Sequence, residues 1–276
     1  MSEKTTGKQS KNEIEIFKKN YLDKNLNSNN TKNHYAISYN QPNSFDNILN
    51  ALKQCKNFER PDGYFFDEET ATLYIFEHFA FDCSETNRNG SKLRKNISKV
   101  NNEIESEIKN SAHSYNSTKA IVQGYGVKDG NSTIFYMGKD GDKYRNNYIK
   151  NFKNQFEKHS AKIQDYINHC KQEISTTPNK IITIFVIEDV TMGGTYYKHL
   201  NGMGEPVILL TTKQFIEVFA NSKIDYVFFG MLQYSDLIIC DRSITNDNLS
   251  KYIDLYNKEF FVFPMMSQIT VAKKLT

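Results

Sequence analysis

The densest pattern of apolar positions lies between residues 60 and 83. Two runs rich in aromatic and β-branched side chains, residues 64–66 and 72–81, flank an acidic patch at residues 67–69. Two such runs joined by a short polar connection predict a β-hairpin. We take this hairpin as the centre of the predicted fold, because it also carries the polar residues whose positions most need an explanation.

Alternation along the second strand places an acid, Glu77, on an apolar face. Successive residues of a strand point to opposite faces, so Glu77 shares its face with Ile75 and Phe79, whereas His78 points to the other. A buried charge is costly unless it is paired, and a metal ion is one such partner. Asp62, near the start of the neighbouring strand, is the candidate second ligand, because hard ions such as Mg²⁺ bind one or two carboxylates plus water.

Apolar residues at helical spacing predict three helices, over residues 44–55, 91–110 and 147–174. His159 falls on the apolar stripe of the longest of them, which favours a core histidine over a ligand. Residues 180–189 are nearly all apolar and β-branched, which is typical of a strand buried on both faces. A long helix followed by such a strand predicts a crossover connection that returns to the sheet.

The rest of the chain predicts shorter elements. Strands are predicted at residues 120–127, 132–138, 207–210, 226–229, 237–240 and 260–263, with helices at residues 212–220 and 245–257. We therefore expect an α/β fold with a mixed sheet, in one domain over residues 34–276, with a division near residue 178 as the alternative. Residues 1–33, rich in Lys, Asn and Ser, are predicted to be a flexible N-terminal segment, although residues 13–21 show modest helical periodicity.

Composition and charge set limits on the kind of protein this is. The chain has 276 residues, of which 38% are hydrophobic, so it is large enough to bury a core. Its net charge of +3 does not by itself demand a nucleic-acid partner. The four cysteines include no CxxC pair, which argues against structural zinc and favours buried free thiols. Without a signal peptide or a membrane-spanning apolar run, we expect a cytoplasmic protein with no membrane partner.

Pro61 and Asp62, followed after a gap by Glu77 near the end of the next strand, form a spacing that resembles the PD-(D/E)xK nuclease superfamily. The run YIFEHF at residues 74–79 is similar to the variant in nuclease domains attached to some superfamily I helicases, where the strand reads Ile-Glu-His-Phe. The resemblance covers residues 45–110, with a looser match of element order to residue 190. It implies a restriction-endonuclease-like mixed β-sheet flanked by helices, with a C-terminal α/β extension here.

The same resemblance implies a metal-dependent nuclease that hydrolyses phosphodiester bonds of nucleic acid, with DNA as the expected substrate. One or two Mg²⁺ (or Mn²⁺) ions would be held by Asp62, Glu77 and the backbone carbonyl of His78. Phe79 stands where the superfamily has its lysine, and in the variant the missing lysine comes from the following helix. Lys92, at the start of that predicted helix, is the candidate, because a lysine would orient the hydroxide or stabilise the transition state.

Further basic residues after the hairpin are candidates for contact with nucleic-acid phosphates. Arg88 lies in the polar loop that follows the hairpin. Lys95 and Lys99 fall with Lys92 on one stripe of the predicted helix, opposite its apolar face. A solvated helix face is the simpler interpretation of these three lysines.

Three alternatives stay open at this point. Phe79 in the lysine position also fits a catalytically inactive nuclease-fold protein that binds nucleic acid or a protein partner. Glu188 and Asp189 are a rival acidic pair, because the ends of strands are common site positions in α/β sheets. In the third alternative, Asp62 and Glu77 have only a structural role and the protein has an unrelated function. A homodimer is compatible with each of them.

Overall fold

The structure, a computed structural model, describes residues 13–23, 34–37, 45–83, 94–110, 120–128, 131–138, 141–191, 196–199, 208–231, 236–246, 248–256, 260–263 and 266–272. The chain divides into two compact units, each assembled from three separate segments. Unit 1 comprises Met1–Phe81, Lys153–Val190 and Lys213–Tyr252, and unit 2 comprises Asp82–Phe152, Thr191–Thr212 and Ile253–Thr276. Residue 178, the alternative point of division in the sequence prediction, lies inside unit 1.

The elements are named in chain order. The strands are β1 (His34–Ile37), β2 (Lys56–Asn57), β3 (Gly63–Asp67), β4 (Thr72–Phe81), β5 (Ala120–Lys128), β6 (Asn131–Gly138), β7 (Lys180–Asp189), β8 (Tyr196–His199), β9 (Tyr226–Met231), β10 (Asp236–Asp241), β11 (Phe260–Phe263) and β12 (Met266–Ala272). The helices are α1 (Glu13–Phe17), which continues as a π-helical turn over Lys18–Leu22, α2 (Phe45–Gln54), α3 (Arg94–Asn110), α4 (Gly141–Ser160), α5 (Ile163–Gln172) and α6 (Lys213–Ala220).

A seven-stranded mixed sheet forms the centre of unit 1, in the order β1-β10-β9-β7-β4-β3-β2. β3 and β4 pair antiparallel as the predicted hairpin, while β7 runs parallel to both of its neighbours, β4 and β9. The parallel pair β4–β7 requires the crossover that the sequence predicted. β7 is buried from Ile182 to Asp189, as expected of a strand covered on both faces. The prediction of an α/β fold with a mixed sheet flanked by helices is confirmed.

One face of this sheet is covered by α2 and by the N-terminal helix. Ile14, Phe17 and Tyr21 are each at most 1% exposed and belong to the same core as the apolar side of α2. Residues 13–23 are therefore part of the core, in contrast to the flexible segment predicted over residues 1–33. A helix this short is stable only through tertiary packing, which the local sequence pattern does not reveal.

The opposite face of the sheet is covered by the C-terminal part of α4 and by α5. The helix predicted over residues 147–174 is instead two helices, because the chain turns at residues 161–162. No proline or glycine marks this turn, so the helical periodicity of the sequence continues through it. Three rings, Phe79, Phe156 and Phe185, meet edge to face on this side, with the Phe156 and Phe185 centroids 4.9 Å apart.

Unit 2 contains α3, the first part of α4 and two small sheets. β12, β6 and β5 form an antiparallel three-stranded sheet, and β11 pairs antiparallel with β8. The predicted strand over residues 207–210 is instead a 3₁₀ turn at Leu209–Thr211. In unit 1, 3₁₀ turns at Arg242–Asn246 and Leu249–Lys251 replace most of the helix predicted over residues 245–257.

All four cysteines are free and buried, as the sequence predicted. In the part of the chain that the structure describes, no helix combines the length and the apolar character needed to cross a membrane.

Candidate active site

The register of the β3–β4 hairpin brings Asp62 and Glu77 together. Gly63 lies opposite Phe76, so Asp62, the residue directly before β3, lies next to the part of β4 that carries Glu77. The backbone N–H of His78 donates a hydrogen bond to Asp62 Oδ2 at 2.7 Å and holds the carboxylate in place. The two acids that the sequence singled out therefore lie side by side where β3 begins.

The closeness of the two acids is visible in the electrostatics of Asp62. Burial, and next the negative charge of Glu77, raise the pKa of the Asp62 carboxyl well above its usual range. Glu13 adds to the repulsion, while the backbone N–H of His78 acts against it. A cation bound between the two carboxylates would relieve this repulsion.

Glu77 is held by two side chains on the helices that cover its face. His159 Nδ1 lies 2.5 Å from Glu77 Oε1, and the Tyr166 hydroxyl donates to the same oxygen at 2.7 Å. His159 is in the last turn of α4 and Tyr166 in the first turns of α5, so the turn at residues 161–162 lies between them. Glu77 is 5% exposed, and among the described residues no hydrogen bond reaches its Oε2.

The ring of His159 is oriented by Phe79 as well as by Glu77. The two rings stack with their centroids 5.2 Å apart and their planes inclined by 19°. The sequence interpretation of His159 as a core histidine missed its bond to an acid, and it did not identify Tyr166. His159 and Tyr166 lie on two different helices and bond Glu77 across more than eighty residues of sequence, so no local signal marks them as its partners.

His78 has its side chain on the opposite face, as alternation predicted. Its Nδ1 lies 3.2 Å from Glu13 Oε2 and its Nε2 lies 2.8 Å from Glu188 Oε2. Burial alone would lower the pKa of His78, but these hydrogen bonds and the charges of the two acids raise it to about 9. The His78 hydrogen bond in turn lowers the pKa of Glu13. His78 is therefore a charged link between α1, β4 and β7.

Only the backbone of His78 faces the pair of acids. Its N–H points towards Asp62, and the N–H and C=O of one strand residue point to the same side of the strand. The carbonyl of His78 is thus directed to the edge at which Asp62 lies. The imidazole, with both nitrogens bonded to carboxylates, has no access to that edge.

The rival pair Glu188 and Asp189 does not form a shared site. The two residues are adjacent in β7, so their side chains point to opposite faces of the sheet. Glu188 is bonded to His78 on the face that α1 covers. Both carboxylates are buried, at 6% exposure each.

The predicted basic residues are only partly described. Arg88 and Lys92 lie outside the described residues. Lys95 and Lys99 lie in α3, a helix of unit 2 whose side chains at those positions are not described. A cation that the sequence did not single out, Arg60, lies exposed two residues before Asp62.

The charge of Arg60 reaches the site. Burial, followed by the hydrogen bond to Glu77, raises the pKa of the Tyr166 hydroxyl, and the positive charge of Arg60 opposes this rise. The positive charge of Arg60 is therefore felt at Tyr166, the residue that bonds Glu77. The exposed position leaves its guanidinium accessible to a negatively charged substrate.

The donor set suits a hard cation that keeps several waters. Among the described residues, no group of three or more His, Cys, Asp or Glu side chains is arranged to hold a metal ion. Two carboxylates and one carbonyl meet the requirement of Mg²⁺, which binds few protein ligands and retains water. The remaining oxygens for such an ion are Asp62 Oδ1, Glu77 Oε2 and the His78 carbonyl.

A comparison of this chain with protein-family models, curated proteins and solved structures found no match. The grounds for a function are therefore the geometry of the two acids and the resemblance of their spacing to the nuclease motif.

Proposed function

We propose that this chain is a metal-dependent nuclease that hydrolyses phosphodiester bonds, with DNA as the expected substrate and Mg²⁺ or Mn²⁺ as the cofactor. The observation that carries the proposal is the Asp62–Glu77 pair, two neighbouring carboxylates in which burial, and next the charge of Glu77, raises the pKa of Asp62. The spacing of Pro61, Asp62 and Glu77 resembles the motif of the PD-(D/E)xK nuclease superfamily, and the mixed sheet and hairpin agree with that resemblance.

Each residue of the site has a role in this proposal. Asp62 and Glu77 would bind the cation, and the His78 carbonyl would complete the protein ligands. When bound, the cation polarises the phosphodiester and lowers the pKa of a coordinated water. Tyr166 fixes Glu77 through Oε1, which leaves Oε2 for the ligand role. Arg60 supplies positive charge for the phosphate.

The reaction is a hydrolysis. A bond forms between the water oxygen and phosphorus, and the bond between phosphorus and the leaving sugar oxygen breaks. The two hydrogens of the water are divided between the phosphomonoester and the alcohol. The apolar surroundings of Phe79, which is 4% exposed, reduce the access of bulk water to this face of the strand.

A second candidate is a nuclease-fold protein that binds nucleic acid or a protein partner without cleaving it. Phe79 favours it, because the ring occupies the lysine position and packs against Phe156 and Phe185. Such a protein would bind DNA with an affinity that does not depend on Mg²⁺, and it would leave the strands intact.

The test is cleavage of fluorescently labelled single-stranded and duplex DNA, and of RNA, with Mg²⁺, with Mn²⁺ or with EDTA. We expect cleavage that EDTA abolishes, and we expect Asp62→Asn and Glu77→Gln each to remove it. Glu69→Gln, a matched change of an exposed acid in the hairpin turn, should leave cleavage unchanged. Binding without cleavage under every metal condition would favour the second candidate.

A further inference from the structure

We infer that His159 is a catalytic residue that binds the attacking water through Nε2 and orients it towards phosphorus. The inference rests on the proposed function and deepens it, because it assigns to His159 the place that the resemblance gives to a lysine. Three observations lead to it: the position of the His159 ring, the proton arrangement at Nδ1, and the environment of Nε2.

The ring of His159 lies against the side chain of position 79. Position 79 is two residues after Glu77 on the same face of β4, so a lysine there would extend beside that carboxylate. Phe79 occupies the position, and the imidazole of His159 stacks on its ring while it bonds Glu77. A nitrogen-bearing group thus reaches the neighbourhood of Glu77 from α4.

The proton arrangement follows from the partners of Glu77 Oε1. A carboxylate oxygen only accepts hydrogen bonds, and Tyr166 already donates to it. His159 therefore donates from Nδ1–H, which in the neutral ring leaves the lone pair on Nε2. Glu77 thereby selects the tautomer that presents an acceptor at the far end of the ring.

The Nε2 atom of His159 is the ring nitrogen that the bond to Glu77 leaves unused. Among the described residues, Nε2 has no hydrogen-bond partner, and 16% of the His159 side chain is exposed. The other histidine next to the acids, His78, has both of its nitrogens bonded to carboxylates on the opposite face. Of these two histidines, only His159 presents a nitrogen on the face of Glu77.

Two variants of His159 distinguish its binding of water through Nε2 from its hydrogen bond to Glu77 through Nδ1. In His159→Asn the side-chain amide takes the place of Nδ1 and can still donate to Glu77, but no atom reaches the place of Nε2. In His159→Gln the amide reaches the place of Nε2 but loses the donor at Nδ1. We expect His159→Asn to lower kcat about 100-fold with KM nearly unchanged, because the water loses its orientation.

The rise in melting temperature caused by Mg²⁺ should be retained in His159→Asn, because Glu77 keeps its donor. His159→Gln should recover part of the lost kcat. His169→Asn, the same change at an exposed histidine of α5, should behave as the wild type. If His159→Asn does not fold, Phe79→Leu replaces it, since loss of the ring stack should lower kcat and leave the Mg²⁺ effect on melting in place.

The outcomes distinguish the two proposals. A wild-type chain that cleaves no nucleic acid in Mg²⁺ or Mn²⁺ overturns the nuclease function and this inference with it. An active wild type with a His159→Asn variant of equal kcat overturns the role of His159 alone. An active His159→Asn variant together with an impaired His159→Gln variant would also overturn the role of His159. That pattern is expected of a residue that only donates to Glu77.

Discussion

At the scale of single residues, the site depends on how the protein holds two carboxylates that repel each other. Asp62 is fixed by one backbone N–H, and Glu77 by a histidine and a tyrosine on the same oxygen. Among the described residues, no lysine or arginine side chain is bonded to either acid. His159, which bonds Glu77, is cationic only when it is protonated. An arrangement of this kind is costly for stability and is typical of functional sites.

The raised pKa of Asp62 predicts a pH-dependent cost of folding. An acid whose pKa is higher in the folded protein than in the unfolded chain stabilises the fold when it is protonated. Ionisation of Asp62 therefore lowers the free energy of unfolding, and this loss grows as the pH rises from about 4 through the pKa of the folded protein. Asp62→Asn removes this cost and can still accept from the N–H of His78. We therefore expect Asp62→Asn without metal to melt several degrees higher than the wild type at pH 7.

The control for this prediction is the same comparison at pH 4, where the two melting temperatures should converge. Glu69→Gln should show no such difference at either pH, because Glu69 is exposed. A lower melting temperature of Asp62→Asn at pH 7 would mean that the charge of Asp62 stabilises the fold and is paired with a cation.

At the scale of elements, the N-terminal helix is attached to the sheet at defined points. His78 joins Glu13 of α1 to Glu188 of β7, and Lys18 donates to the carbonyl of Cys55 at 3.2 Å. Tyr21 packs so closely on β9 that a Cβ at Gly230 would lie 2.4 Å from its Cζ atom. These contacts explain why residues 13–23 are ordered despite a composition typical of a tail.

The charged link at His78 predicts that stability falls at alkaline pH. A histidine whose folded pKa is raised contributes its full stability below its ordinary pKa of about 6.5 and loses it as the pH rises through about 9. The shift corresponds to a loss on the order of 3 kcal/mol. Urea unfolding of the wild type at pH 6, 7.5 and 9 measures it.

His78→Gln should be less stable than the wild type at pH 6 and should lose most of the slope between pH 6.5 and 9. His169→Gln, at an exposed histidine, serves as the matched control and should keep the slope. A wild type whose unfolding free energy is constant over this range would contradict the charged state of His78.

The contact between Gly230 and Tyr21 predicts a coupled pair of substitutions. Gly230→Ala should destabilise unit 1 by about 1–3 kcal/mol, because the added methyl group meets the buried ring of Tyr21. Tyr21→Leu should also be destabilising, but the double variant should be more stable than the sum of the two single effects predicts. Thermal or urea unfolding of the four chains gives the coupling energy, and additive effects would show that the ring adapts elsewhere.

At the scale of the whole molecule, the sequence predicted those elements that the local pattern of apolar and polar residues determines. β7 matches its predicted bounds because a run of apolar and β-branched residues has few other structures, and the β3–β4 hairpin follows from alternation. The pairing of Asp62 with Glu77 could be proposed because both residues belong to that hairpin.

The remainder depends on contacts distant in sequence. His159 and Tyr166 bond Glu77 across 82 and 89 residues, and Glu13 bonds His78 across 65, so no local pattern indicates them. The turn at residues 161–162 carries no proline or glycine. The assembly of each unit from three separate segments likewise has no mark in composition, because strand pairs and packing between residues distant in sequence join the segments.

The most direct test of the central claim is an anomalous difference map from crystals soaked in Mn²⁺. We expect a peak between the carboxylates of Asp62 and Glu77, at about 2 Å from their oxygens, and no peak there in Glu77→Gln crystals. A wild-type map without density between these carboxylates, at a Mn²⁺ concentration that supports cleavage, would contradict the account.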